Sequence, residues 1–372
     1  ASKGRYPESV GVVLWGFETT GTGGETIGQI LYYLGLRLNR KHGAWDPRLE
    51  VIPLEELKRP RIDVLVNICG FFREMFPQQM ELLARAFKLV SELDEPDEWN
   101  FVKKHSQENL KLIKQKIKLS ENSDFAWKLA CARIFGPQSG EYGTKMLPLI
   151  EDSVWNKEEE LAQSYLDSMC FLHSENIFAR QAKELYKQNL KNVKLVSQII
   201  YSNDYDLVDL DHYYEFFGGL ARSVEMISNE APLMLFSDTR REKVETESAE
   251  KLLDRSIRSR LLNPKWIEGM MTHNWHGAQK IVDRVEYLIG WSATTHSVSN
   301  WTYQKVAERF VFDEHTRKRL LENNPFATKE LMDRLLEAHQ RGYWQPSKTA
   351  LKKLEEAILE VESLLETQTE KE

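Results

Sequence analysis

Val10-Gly11-Val12-Val13-Leu14-Trp15 is a continuous apolar run bounded by glycine-rich sequence, with Gly16 directly after it and Gly21, Gly23 and Gly24 close behind. A run of this kind, without polar alternation, predicts a strand buried on both faces, as in a parallel sheet covered by helices. Working outward, Thr26 to Leu38 reads as a helix, Leu49 to Pro53 as a second strand and Ile62-Asp-Val-Leu-Val-Asn-Ile68 as a third. After Pro77, Met80, Leu83, Phe87 and Val90 recur at three- and four-residue steps and mark one apolar helix face. The expected fold class is therefore α/β, with a mostly parallel sheet. Three strands make a thin sheet, so its remaining strands are expected upstream of Ala1 or later in the chain.

From there the pattern is mainly helical. Leu185 to Ile200, Ala249 to Leu262, Gly277 to Leu288 and Lys329 to Gln340 all carry helical spacing. Leu351, Leu354, Ile358, Val361 and Leu365 form the apolar stripe of a last, amphipathic helix whose other face is glutamate and lysine. The expected organisation is a Rossmann-like α/β lobe over residues 1–100, incomplete in itself, followed by a mainly helical α+β region over 101–372.

With 372 residues and 41% hydrophobic content, the chain is long enough to bury two packing units. Its net charge of −7 comes from 50 basic and 57 acidic residues interleaved throughout, so no field of one sign exists to neutralise a run of phosphates. Nucleic acid is a poor partner on that count. Cys69, Cys131 and Cys170 are odd in number and none lies in a Cys-x-x-Cys pair, which argues against a disulfide framework or thiolate zinc site and points to the reducing cytoplasm. No apolar run approaches the ~18 residues of a membrane span. Ala1-Ser2-Lys3-Gly4 lacks the hydrophobic core of a signal peptide, and a start without methionine suggests a piece of a longer polypeptide.

Several stretches carry candidate chemistry. The loop from Gly16 to Glu25 follows a strand and opens a helix, where phosphates bind elsewhere, yet it has neither the dinucleotide fingerprint nor a Gly-Lys-Ser/Thr ending. Arg73 directly follows the third strand, at the carboxyl end where α/β sheets hold ligands, and is a candidate partner for a substrate carboxylate; the loop near Glu25 is expected to line the same crevice. The alternative for Arg73 is a structural ion pair. Asp94-Glu-Pro-Asp-Glu98 reads first as a solvated cap, and Gly136 to Thr144 as a glycine-rich turn with no strand before it.

The richest stretch, Asp204 to Gly219, places five carboxylates and His212 within a dozen residues. A histidine is both a divalent-metal ligand and a base titrating near neutrality. The competing reading is an acidic loop in which Asp209 or Asp211 caps a helix that turns Tyr213, Phe216 and Phe217 inward. His273 and His276 lie three apart without the acidic third ligand of a zinc site.

Taken together, Val-Leu-Trp-Gly near the start, Arg59-Pro-Arg-Ile-Asp-Val-Leu-Val-Asn67, Arg73-Glu-Met-Phe-Pro-Gln-Gln-Met80 and Asp94 to Glu98 resemble the carboxy-terminal part of the large subunits of cobaltochelatase and magnesium chelatase. Gly140-Glu-Tyr-Gly-Thr144, Tyr214-Glu-Phe-Phe-Gly-Gly-Leu220, Asn263-Pro-Lys-Trp-Ile-Glu-Gly-Met270 and Arg341-Gly-Tyr-Trp344 extend the resemblance over nearly the whole chain. The Phe-Phe-Gly-Gly and Met-Phe-Pro-Gln-Gln-Met stretches favour the cobalt branch, whereas Gly290-Trp-Ser-Ala-Thr294 suits the magnesium branch. His273-Asn-Trp-His-Gly277 departs from the family's His-Gly-Tyr pattern, which leaves His276 without an assigned role.

The resemblance implies a ligase that binds a tetrapyrrole and inserts Co2+ (or Mg2+) into it, with ATP hydrolysed by separate AAA+ partner subunits and not by this chain. Insertion needs two pyrrole protons removed and a hydrated ion stripped of water. In that light His212 is the base or transient ligand and Glu215 its catalytic companion. Asp209 and Asp211 are metal-guiding carboxylates, His273 is a second metal candidate, and Tyr214, Arg73 and Glu25 are substrate-binding candidates. Two rivals remain: a non-catalytic tetrapyrrole-binding subunit, and an α/β nucleotide-binding protein built around Gly21 to Gly24.

Overall fold

The computed structural model describes residues 6–39, 48–116 and 123–369, so the Ala1–Gly4 start lies outside the described residues. The chain forms two compact units that interleave along the sequence: residues 1–149, 154–201 and 219–246 make the first, and 150–153, 202–218 and 247–372 the second. The division thus falls well beyond residue 100, because strands later in the chain complete the first unit's sheet.

Among the described residues ten strands occur in order: β1 Ser9–Leu14, β2 Leu36–Asn39, β3 Arg48–Val51, β4 Asp63–Ile68, β5 Ile134–Gly136, β6 Phe171–Ser174, β7 Ile177–Gln181, β8 Val193–Ile200, β9 Leu233–Asp238 and β10 Glu245–Ser248. Eight of them form one sheet in the order β10-β9-β8-β1-β4-β5-β6-β7. β1 pairs in parallel with β4, from Ser9 opposite Asp63 to Leu14 opposite Ile68, and in parallel with β8 on its other side. All six residues of β1 and all six of β4 are buried, as continuous apolar runs require. Val10, Val12 and Leu14 pack with Val64, Val66 and Ile68 beneath Ile27, Ile30 and Leu34 of one helix and Leu83, Phe87 and Val90 of another. The chain passes from β1 to β4 on one side and returns with β8 on the other, so the strand order reverses at β1.

Four local expectations change. The helix expected to reach Leu38 ends at Gly35, whose φ of +71° suits glycine, and a Cβ there would come within 2.4 Å of the Arg61 guanidinium. The chain beyond it is β2, which pairs antiparallel with β3 as a separate ribbon, so the second expected strand lies outside the main sheet. Leu185 to Ile200 is not one helix: Lys183–Asn192 is helical and Val193–Ile200 is β8. Two parallel neighbours, β1 and β9, supply the hydrogen bonds that override the local helical spacing of this aliphatic stretch. The Gly136–Thr144 loop does have a strand, β5, leading into it.

The helices expected further on are present as Ala249–Ser256, Asn274–Thr295, Pro325–Gln340 and Lys348–Thr369. Within the acidic stretch at 94–98, the Glu95 carboxylate is bound by buried Arg61 at 2.7 Å and by Asn100 at 2.9 Å, a structural use. No helix among the described residues is long and apolar enough to cross a membrane.

Candidate functional site

The second unit contains the acidic stretch, and its local conformation is unusual. Tyr213–Gly218 is π-helical, and all six residues are buried. A regular helix buries one stripe, whereas this widened turn takes Tyr213, Tyr214, Glu215, Phe216 and Phe217 inward in succession; such turns recur at functional sites. Gly290 of the Asn274–Thr295 helix makes room, since a Cβ there would come within 2.5 Å of the Tyr214 ring.

His212 stands at the mouth of this turn with 59% of its side chain exposed. Its Nδ1 lies 3.1 Å from an Asp211 carboxylate oxygen and 3.3 Å from Oε2 of Glu215, which is only 1% exposed. The edge of the ring faces Phe216, with centroids 6.3 Å apart. The bond to Glu215, aided by the charges of Asp211 and Glu215, raises the His212 pKa above 6.5 against the opposing effect of burial. With Nδ1 turned to carboxylates, Nε2 is the nitrogen placed to take a proton or touch a metal.

More acid lies around the turn. Burial, with the charges of Asp211, Asp152 and Glu215, raises the Glu151 pKa. Burial pushes Glu286 up to about 7, although Arg334 pairs with it at 2.7 Å. The Tyr214 ring lies 5.8 Å from that of Tyr287. Arg334 also binds Glu337 at 2.9 Å, the Ile150 carbonyl at 3.3 Å and the Glu151 carbonyl at 2.5 Å, fixing the 150–153 segment.

Of the residues expected from sequence, the fold joins His212, Glu215 and Asp211. Asp209 does not face the same chemistry: one oxygen meets Arg284 at 2.5 Å, the other is bound by Arg260 and by the Asp206 amide at 2.8 Å, and 4% of its side chain is exposed. A carboxylate held by two guanidiniums has its charge already compensated and anchors a loop rather than guiding an ion. Tyr214 is fully buried against Gly290 and Tyr287, so it offers no face to a flat ligand. His273 and His276 are both exposed, near the start of the Asn274–Thr295 helix, outside the His212 network. Among the described residues no three of His, Cys, Asp or Glu are grouped to hold a metal ion directly.

Arg73 and Glu25 belong to the first unit, on segments that follow the adjacent parallel strands β4 and β1, where Phe17 and Phe71 stack at 4.9 Å. The Arg73 guanidinium donates to the carbonyls of Pro137, Gln138 and Glu141 at 2.9–3.2 Å, which makes it a clasp for the Gly136–Thr144 loop. At Glu25, the helix amides meet their own chain: the Thr22 hydroxyl accepts from the Gly24 and Glu25 amides, and buried Glu18, raised in pKa by burial, accepts from the Thr22 hydroxyl at 3.1 Å. A carboxylate already at the helix start opposes phosphate binding there.

Sequence reasoning missed Glu151, Glu286, Tyr287 and Arg334. Each sits on a helix or turn whose local pattern reads as an ordinary solvated position, and only folding brings them to one place.

The family described as CobN/Magnesium Chelatase matches residues 1–351. The magnesium-chelatase subunit ChlH of Oryza sativa subsp. indica is 35% identical over 368 residues, covering 98% of this chain and 26% of that protein. The aerobic cobaltochelatase subunit CobN of a Sinorhizobium species is 32% identical over 351 residues, covering 92% of this chain and 27% of its own length. An uncharacterized protein of Methanocaldococcus jannaschii is 36% identical over 365 residues, covering 98% of this chain and 29% of that one. The solved catalytic subunit of cobaltochelatase from Mycobacterium tuberculosis superposes with a TM-score of 0.91 at 32% identity, covering 97% of this chain and 30% of the other. The chain therefore spans between a quarter and a third of the length of these relatives, and it belongs to the CobN/magnesium chelatase family.

Proposed function

We propose that this chain is the metal-inserting part of the large, tetrapyrrole-binding subunit of an ATP-dependent chelatase, placing Co2+ into a corrinoid-precursor tetrapyrrole in the cytoplasm. The observation that carries the reading is the His212–Asp211–Glu215 cluster on a π-helical turn, with His212 exposed and Glu215 buried behind it. Metal insertion removes two pyrrole protons, and a histidine made more basic by buried carboxylate neighbours is suited to accept one at Nε2. Asp211 offers a weak oxygen ligand able to release the ion. In this reading Asp209 is a positioning residue that fixes the approach to the π turn, and His273 guides the ion only if other sequence joins it. Arg73 and Glu25 shape the carboxyl edge of the sheet and do not grip the substrate themselves.

AAA+ partner subunits supply ATP hydrolysis, consistent with the self-capped helix start at Glu25. Magnesium insertion into protoporphyrin IX is the second reading, favoured by relatives named for that metal. The deciding experiment measures insertion spectrally in the complete enzyme, with Co2+ or Mg2+ and its matching tetrapyrrole. A folded His212→Ala enzyme with normal turnover sinks the catalytic assignment, and insertion of Mg2+ but not Co2+ sinks the choice of branch.

A further inference from the structure

We infer that a cavity within the first unit, beside the outermost strand β7, is a binding site for a small organic anion, a carboxylate carried on an apolar body. The cavity holds about 550 Å3 and lies between the Phe101–Lys116, Ser123–Cys131 and Lys183–Asn192 helices and the end of β7. Its apolar wall is Leu112 and Ile113 from the first helix, Leu129 from the second and Leu185 from the third. Ile113, Leu129 and Leu185 are buried, so the wall is continuous with the core of the unit. Sites for small molecules have this make-up: roughly 300–1,000 Å3, a mostly apolar lining, and a few polar groups that fix orientation.

The polar group here is Arg180. It is exposed at the cavity, and among the described residues its guanidinium meets no carboxylate, standing instead 5.1 Å from the centroid of the Phe125 ring. The other charged side chains at the wall are already matched, Lys183 by Asp167 and Glu184 by Lys187 at 3.7 Å. Arg180 is thus the uncompensated charge, and a fork of N–H donors beside an apolar wall is complementary to a carboxylate on a hydrocarbon. The Lys183–Asn192 helix begins at the same place, and its N-cap, Ala182, has no side chain to accept from the first amides, so their partial charge adds to that of Arg180. The backbone that presents Arg180 is strained. Ala179 has a φ of +47°, a left-handed conformation uncommon outside glycine. The β6–β7 register shifts between Leu172 and Ser174, and the Ala179 amide donates to Nδ1 of buried His173 at 3.4 Å. Burial pulls the His173 pKa down to about 4, which keeps the ring neutral and Nδ1 an acceptor. A strand irregularity of this kind re-aims the side chain beside it, and that side chain is Arg180.

Octanoate and 1-naphthoate are the probes, titrated calorimetrically into the full-length large subunit, with 1-octanol as the uncharged control. The expected result is binding of at least one acid below about 1 mM. Arg180→Met, which keeps the apolar stem and removes the charge, should weaken that binding roughly tenfold, as expected for the loss of a charge-assisted hydrogen bond. Arg180→Lys should restore part of it, and 1-octanol should not distinguish the parent from Arg180→Met. Leu112→Trp, at a half-buried position of the wall, fills the cavity and should abolish binding. Melting temperatures establish that each variant is folded. Binding of neither acid by the parent, or equal binding by Arg180→Met, overturns the carboxylate site, and undiminished binding by Leu112→Trp overturns its placement in this cavity. His212→Ala should bind the acids as the parent does, so either failure leaves the metal-insertion reading standing.

Discussion

His105 in the first unit and His212 in the second both lie beside carboxylates, yet their surroundings differ in every other respect. His105 is 1% exposed; its Nδ1 is 2.8 Å from Asp63, and its Nε2 is 3.3 Å from Glu8. Asp63 is also held by Arg133 at 2.9 Å, and Arg133 spends its remaining donors on Ala130, Ala132, Val102 and Ser106. Both histidine nitrogens are occupied and the charges alternate. This network sits where β4 begins, the end of a parallel sheet opposite the usual ligand edge. At His212 one nitrogen faces solvent, carboxylates outnumber cations and a phenol has no partner. Saturated pairing marks a structural network, and the unsaturated pairing at His212 is what the proposed role rests on.

The largest effect expected from this contrast is on stability. Arg133→Met leaves the buried Asp63 charge with half its support and should cost roughly 3–5 kcal/mol by denaturant unfolding, as when one partner of a buried pair is removed. A loss below about 1 kcal/mol would mean that the network is not the anchor described here. Next, His212→Ala should lower metal insertion by the complete enzyme at least tenfold, a floor set below the about 10²–10⁴ of general acid-base effects, with a melting temperature close to the parent's. Glu215→Gln should act in the same direction. Equal losses of stability and turnover would erase the contrast.

The pH responses should also separate the two histidines. Burial pulls the His105 pKa down, but its bonds to Asp63 and Glu8 outweigh this and raise it. Its contribution to stability is therefore complete below pH 6.5 and is lost as pH rises through the folded value. The bond to His105 lowers Glu8 from 4.5 to about 2, so that contribution is present above 4.5 and fades as pH falls toward 2. His212 acts as a base only when neutral, so insertion should rise with pH through its raised folded pKa, and Glu215→Gln should move that limb back toward 6.5. A limb that stays in place in Glu215→Gln would detach the pH response from this pair. The smallest effect is expected at exposed Glu356 on the last helix, where Glu356→Gln should change stability by less than about 0.5 kcal/mol and turnover not at all.

The sequence by itself determined the elements whose burial is symmetric. β1 and β4 read as fully buried strands because every residue in them is covered, and the Leu351 to Leu365 stripe reads as a helix because one face alone is apolar. It also located His212, Asp211 and Glu215, since residues three apart on one turn meet whatever the rest of the fold does. The tertiary structure alone decided that Val193–Ile200 is a strand, because the deciding hydrogen bonds come from β1 and β9. It alone withdrew Asp209, whose arginine partners lie 51 and 75 residues away, and turned Arg73 from a substrate ligand into a clasp on carbonyls at least 64 residues distant. It alone assembled Glu151, Tyr214, Glu286 and Arg334. A local pattern records which way a side chain points, and only the packed chain fixes what it meets there.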